Sequence, residues 1–169
     1  MPKTKHKDIV DYWLPLKDEC ELGVDWSEAH ERCWRCGYKS SLHRCHIVPD
    51  SLEGVDHPSN LILLCGRCHR EAPNHTNPQY MWIWLKASYG SFYDTYWTQR
   101  GLEEFERMFQ RKPFSNLNEK QVDLNEINEL LGREIEKTTI HFGEGRLNPS
   151  TIACVIAELE KKLTSMYEV

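Results

Sequence analysis

The chain has 169 residues, 40% of them hydrophobic and 28% charged, with a formal net charge of −5. That is enough for one globular domain, or for a small metal domain with a helical appendage. No apolar run approaches the ~20 residues needed to cross a bilayer, and the basic stretch 1–7 has no apolar segment behind it, so the sequence predicts a cytoplasmic, intracellular protein with neither signal peptide nor membrane partner.

The negative charge is unevenly spread. Residues 1–28 carry four basic against seven acidic side chains and 113–169 carry six against ten, whereas 29–76 and 77–112 are each one positive. Eight arginines fall between Arg32 and Arg111, so a local phosphate-binding face is compatible with the overall sign.

In chain order, residues 1–28 read as an N-terminal arm. Its first 25 residues look loosely structured, with Ile9, Tyr12, Trp13 and Leu14 as docking points before Pro15 interrupts. Asp25 and Ser27 suit the cap of a brief helix over 26–32. Cys33-Trp34-Arg35-Cys36-Gly37 reads as a zinc knuckle, with Gly37 supplying the positive φ that follows a tight Cys-x-x-Cys turn. A strand over 42–48 stopped by Pro49, a loop with Gly54 and Pro58, an apolar strand over 61–64 and a short helix from Gly66 closed by Pro73 complete a core spanning 29–76.

The remainder, 77–169, reads as a helical region that packs on the core or mediates dimerisation. Asn77-Pro78 signals a helix start, and apolar spacing predicts one helix over 78–97, weakened at Gly90. Three more helices are predicted: one around Leu102 to Phe109, ended by Pro113, one over 122–136, and one from Asn148-Pro149. The predicted fold is α+β.

The cysteines carry the first chemical signal. Two Cys-x-x-Cys pairs, Cys33 with Cys36 and Cys65 with Cys68, are separated by 28 residues and can bring four thiolates to one tetrahedral structural Zn²⁺. Four unrelated buried thiols would need two coincidental spacings, and a redox role needs only one motif. Cys20 and Cys154 have no motif partner, and Cys154 is placed in the core of its helix.

The second signal is Cys45-His46, Asn60 and His69. Together with Cys33-x-x-Cys36-Gly37, His46-Ile47-Val48-Pro49, Pro58-Ser59-Asn60-Leu61 and Leu64-Cys65-x-x-Cys68-His69, these residues resemble the HNH (His-Asn-His) endonucleases, the zinc-stapled branch of the ββα-metal nucleases. His46 to Asn60 is fourteen positions and Asn60 to His69 is nine. The resemblance covers about residues 30–76.

It implies a ββα-metal core stapled by the four-cysteine zinc site and a metal-dependent hydrolysis of DNA phosphodiesters, of restriction, mobile-element or phage type. By that resemblance His46 is the general base, Asn60 orients it, and His69 binds one catalytic divalent cation, Mg²⁺, Mn²⁺ or Zn²⁺. Arg44, Arg67 and Arg70 are candidates for nucleic-acid contact, though a solvated helix face explains Arg67 and Arg70 equally well. Double-stranded DNA is the expected partner, RNA stays open, and a homodimer is compatible.

The sequence departs from the family at Cys45, where the family has an Asp or His metal ligand. A thiolate suits Zn²⁺ or another soft ion better than Mg²⁺. Three resolutions stand: Cys45 binds a softer ion, His43 substitutes from two residues earlier on the same strand face, or Asn74 or His75 completes the shell. The reading taken is Cys45 with His69 and Asn74 or His75; loss of catalysis is a fourth outcome.

His6, His30, His57 and His141 lie outside the constellation and read as surface or hydrogen-bonded residues in preference to ligands. The aromatic residues of 80–97 at helical spacing read as core in preference to base-stacking platforms. Two other function classes remain open: a zinc-stabilised nucleic-acid-binding protein that does not cut, and an interaction protein whose acidic helices bind a protein partner.

Overall fold

The structure, a computed structural model, describes residues 4–87, 94–115, 123–140 and 146–167. The chain forms two compact units, Met1–Tyr96 and Trp97–Val169. Among the described residues, no helix is long and apolar enough to cross a membrane.

The first unit begins with helix α1, His6–Trp13, where the sequence predicts a loose arm. Asp8 accepts from the backbone N–H of Lys5 and so caps the first turn, while Ile9 is fully buried. The Trp13 indole N–H donates to the carbonyls of both Pro58 and Leu61, which ties α1 to the entrance of the second strand. Pro15 does not break the chain. It sits at the start of a 3₁₀ turn, Leu14–Leu16, where its missing N–H is not needed, and helix α2, Lys17–Cys20, follows.

Residues 26–32 form turns in place of the expected helix. Asp25 accepts from both the backbone N–H and the hydroxyl of Ser27, a local bond that satisfies the turn without propagating it.

Strands β1, Leu42–His46, and β2, Leu61–Cys65, pair antiparallel with Leu42 opposite Cys65 and His46 opposite Leu61. Every residue of β2 is buried, as its unbroken Leu-Ile-Leu-Leu run requires. The connection folds back tightly: a Cβ on Gly54 would lie 1.7 Å from the Val48 carbonyl oxygen, so only glycine fits. Helix α3, Gly66–Glu71, follows β2 directly and ends at Ala72, which turns extended before Pro73.

Helix α4, Gln79–Lys86, starts where Asn77 accepts from the Gln79 N–H. It does not run to 97: Tyr96 and Trp97 open the next helix, α5, Tyr96–Phe109. Tyr89, Gly90, Phe92 and Tyr93 lie outside the described residues, as do Val122 and His141. The first unit therefore extends past the segment boundary drawn from the sequence at residue 76, since Arg35 stacks over the Trp84 ring at 3.5 Å and donates to the Tyr96 hydroxyl.

Among the described residues, the second unit holds α5 from Trp97 onward with helices α6, Leu124–Ile135, and α7, Pro149–Tyr167. Asn148 accepts from the Thr151 N–H as the expected cap of α7. Phe105 packs with Ala153, Ile156 and Ala157, and Leu130 with Leu159 and Leu163. Helix α5 ends at Phe109 because Gln110 turns left-handed (φ 54°) ahead of Pro113. Cys154 is exposed and not in the core: its neighbours Ala153 and Val155 face inward.

Candidate metal centre and active site

The Cys33-Cys36 turn is built by local backbone bonds. The Cys33 N–H donates to the Tyr38 carbonyl, the Gly37 N–H donates to that of Cys33, and Gly37 takes the positive φ (73°) that its position calls for. The Trp34 N–H donates to Leu63 on β2, and its buried indole donates to Ala29 and packs edge-on to Trp26. This docks the first cysteine pair against the strand that ends at Cys65.

Cys65 ends β2 and caps α3, its sulfur accepting from the Cys68 N–H. The four sulfurs of Cys33, Cys36, Cys65 and Cys68 are buried and lie within 4.8 Å of one another. Sulfurs ~2.3 Å from a tetrahedral Zn²⁺ stand ~3.8 Å apart, and the Cys36 and Cys65 sulfurs are 3.9 Å apart. The donor set thus fits a structural zinc in both chemistry and spacing. Without a metal, neighbouring S–H groups hold the Cys36 and Cys65 thiols low, burial holds Cys33 high, and contacts with the other three sulfurs hold Cys68 high. A bound cation would take over the role of those shared protons.

The expected nuclease residues lie along the same hairpin. His46 is the last residue of β1, and its Nε2 is buried with no hydrogen-bond partner among the described residues. His69 lies in α3, where burial first and then the neighbouring His43 and His46 hold its pKa below the ordinary value. The neutral imidazole that results is the form that binds metal. The ring centroids of His43 and His69 are 5.9 Å apart.

Asn60 does not reach the His46 side chain. Its amide oxygen accepts from the Val48 N–H and its amide nitrogen donates to the carbonyls of Val48 and Val55. The Ile47 N–H donates to the Asn60 carbonyl. Asn60 therefore fixes the backbone immediately after His46 and closes the connection between the strands.

The other sequence candidates are placed less favourably. Cys45 is only 3% exposed; its thiol, pushed up to about 12 by burial, makes a 3.6 Å contact with the His46 carbonyl. It remains protonated at neutral pH. Asn74 is exposed in the segment after α3, and His75 is engaged locally, accepting from the Asn77 N–H and packing edge-on to Tyr80. Arg44 is paired with Asp56 at 3.1 Å, Arg67 is buried and Arg70 is exposed.

Asp56 was not singled out by the sequence. Thr4 and Arg44 hold its carboxyl below the usual range, and His46 adds to that effect, so a negative charge stands near His46. Its only sequence signal is a place in the loop between the strands, which many surface aspartates share.

A two-stranded antiparallel hairpin followed by a short helix, with four clustered cysteines able to hold a zinc ion and histidines on strand and helix, makes this an α+β arrangement. Residues 31–74 match the family model for HNH endonuclease. No curated protein and no solved structure matches the chain.

Proposed function

We propose that this protein is a metal-dependent endonuclease that hydrolyses phosphodiester bonds in double-stranded DNA. The observation that carries the reading is the buried Nε2 of His46 at the end of β1, without a hydrogen-bond partner among the described residues and close to His69, inside the segment that matches the HNH model. A buried imidazole nitrogen without a partner is destabilising in a purely structural domain, whereas a site that receives a substrate supplies one.

His46 acts as general base, taking a proton from the water that attacks the phosphorus. The P–O3′ bond then breaks, leaving a 5′-phosphate and a 3′-hydroxyl. Asn60 keeps the backbone after His46 in place through its bonds to Val48 and Val55, so the imidazole meets the water at a fixed position. His69 supplies a neutral imidazole ligand to a divalent cation, which when bound polarises the phosphate and stabilises the leaving oxygen. The four-cysteine zinc site has no part in the chemistry and holds the strand and helix that carry these residues.

Supercoiled plasmid incubated with the wild type and with His46→Ala, in Mg²⁺, Mn²⁺, Zn²⁺ or no added metal, tests the proposal. Metal-dependent nicking or linearisation that disappears in His46→Ala, with equal zinc in both proteins, is expected. No cutting by the wild type in any metal, with salt-sensitive DNA binding retained, overturns it in favour of a zinc-stabilised binding module.

A further inference from the structure

Residues two apart on a strand share a face, so His43 and Cys45 project to the same side of β1. They differ in what surrounds them. Cys45 is sealed in the interior at 3% exposure, with its sulfur directed to the neighbouring His46 carbonyl, whereas His43 is exposed to solvent. The His43 ring instead faces α3, 5.9 Å from the His69 ring and inclined to it by 60°.

A Cβ on Gly66, the first residue of α3, would stand 3.7 Å from His43 Nε2, an ordinary van der Waals contact, so the imidazole lies beside the start of the helix. Strand and helix thus each direct an imidazole to the same open edge of the hairpin. Among the described residues the ring contact of His69 is with His43, whereas Cys45 is buried and Asn74 is exposed beyond the helix end.

We propose that His43 takes the place that Cys45 occupies in the sequence pattern, forming with His69 a two-imidazole centre for the catalytic cation, open on its solvent side to water and a phosphate oxygen. This deepens the nuclease reading and rests on it for the word catalytic. Two imidazoles without a carboxylate favour borderline ions such as Ni²⁺, Co²⁺ or Zn²⁺ over Mg²⁺. The substitution of Cys for the family's acidic or His ligand is then tolerated because that position has become part of the core.

Calorimetric titration of Ni²⁺ into the untagged, zinc-loaded full chain tests this directly, with cleavage measured separately on the same preparations. His43→Ala and His69→Ala are each expected to weaken Ni²⁺ binding at least about tenfold, the scale on which disturbing a metal site is felt. Cys45→Ala is expected to leave it within about twofold, with Cys45→Val as the alternative if Ala destabilises the core. Zinc content and melting temperature establish that each variant is folded; His43 is exposed, so its replacement leaves the interior intact.

Loss of Ni²⁺ affinity in both Cys45 variants with none in His43→Ala overturns the proposal, as does wild-type affinity in all of them. In either case DNA cutting by the wild type would leave the nuclease reading standing. Binding that depends on His43 and His69 in a protein that cuts no DNA would retain the metal centre and remove the nuclease.

Discussion

The two compact units solve the problem of staying folded by different means. In Trp97–Val169 the helices bury apolar side chains against one another, Phe105 with Ala153 and Ile156, Leu130 with Leu159 and Leu163. In Met1–Tyr96 a two-stranded sheet, marginal by itself, is braced by four clustered sulfurs and by indole-to-backbone bonds from Trp13 and Trp34. The difference separates chemistry from packing: every residue proposed for a nuclease role lies in the unit that also carries the four clustered sulfurs.

Removing a sulfur sharpens that contrast most. Cys65→Ser is expected to abolish cooperative unfolding of the first unit, since structural zinc contributes on the order of 10 kcal/mol to such domains. Far-UV circular dichroism should retain the helical transition of the second unit. A single unchanged transition would show that the sulfurs do not support the fold.

Asn60→Ala is the next largest. It removes three bonds to the Val48 and Val55 backbone, each worth about 1 kcal/mol, so a loss of ~2–3 kcal/mol in denaturant unfolding is expected. Cleavage should fall together with stability, because the freed segment directly follows His46.

Gly101→Ala probes the other unit. A Cβ there would meet Ile152 Cγ2 at 2.2 Å and its Cβ at 2.7 Å, so rotating the Ile152 side chain does not relieve the clash. Alanine gains about 1 kcal/mol of helix propensity against an overpacking penalty of about 1–3 kcal/mol, and the clash should win. Thermal unfolding should shift in the second unit alone, with plasmid cutting unaffected.

Acidification gives the smallest effect. Glu160 accepts two bonds from Arg111 and one from the Phe114 N–H, and the Arg111 guanidinium, ahead of the backbone bond, holds its carboxyl below the ordinary value of 4.5. A depressed carboxylate stabilises the fold above its unfolded-state pKa and loses that contribution as pH falls through the folded-state value. The second unit should therefore weaken below about pH 4.5, and Glu160→Gln should flatten that part of the profile.

Much of this was legible in the sequence because the signals are local. Cys-x-x-Cys spacing, Gly37 after the first pair, the Leu-Ile-Leu-Leu run and Pro73 each act through neighbouring residues, and all are found where the pattern puts them. What was missed depends on distant partners. Helix α1 is held by bonds from Trp13 to Pro58 and Leu61, some 45 residues away, which no window around residue 13 contains.

The active-site details fail for the same reason. Two-residue alternation places His43 and Cys45 on one face but cannot say which of them the rest of the unit covers. Likewise the family resemblance implies that Asn60 orients His46, and does not reveal that its amide is spent on Val48 and Val55. Cys154 shows the limit of helical periodicity, one position out of phase being enough to expose it.

Metal content bears most directly on the zinc-stapled fold from which the rest follows. Mass spectrometry of the full chain, under native and then denaturing conditions, should show at least one zinc bound per chain, one of them retained in His46→Ala and His43→Ala and lost in Cys65→Ser. A folded wild-type chain that carries no zinc, and melts at the same temperature after chelation as before, would contradict it.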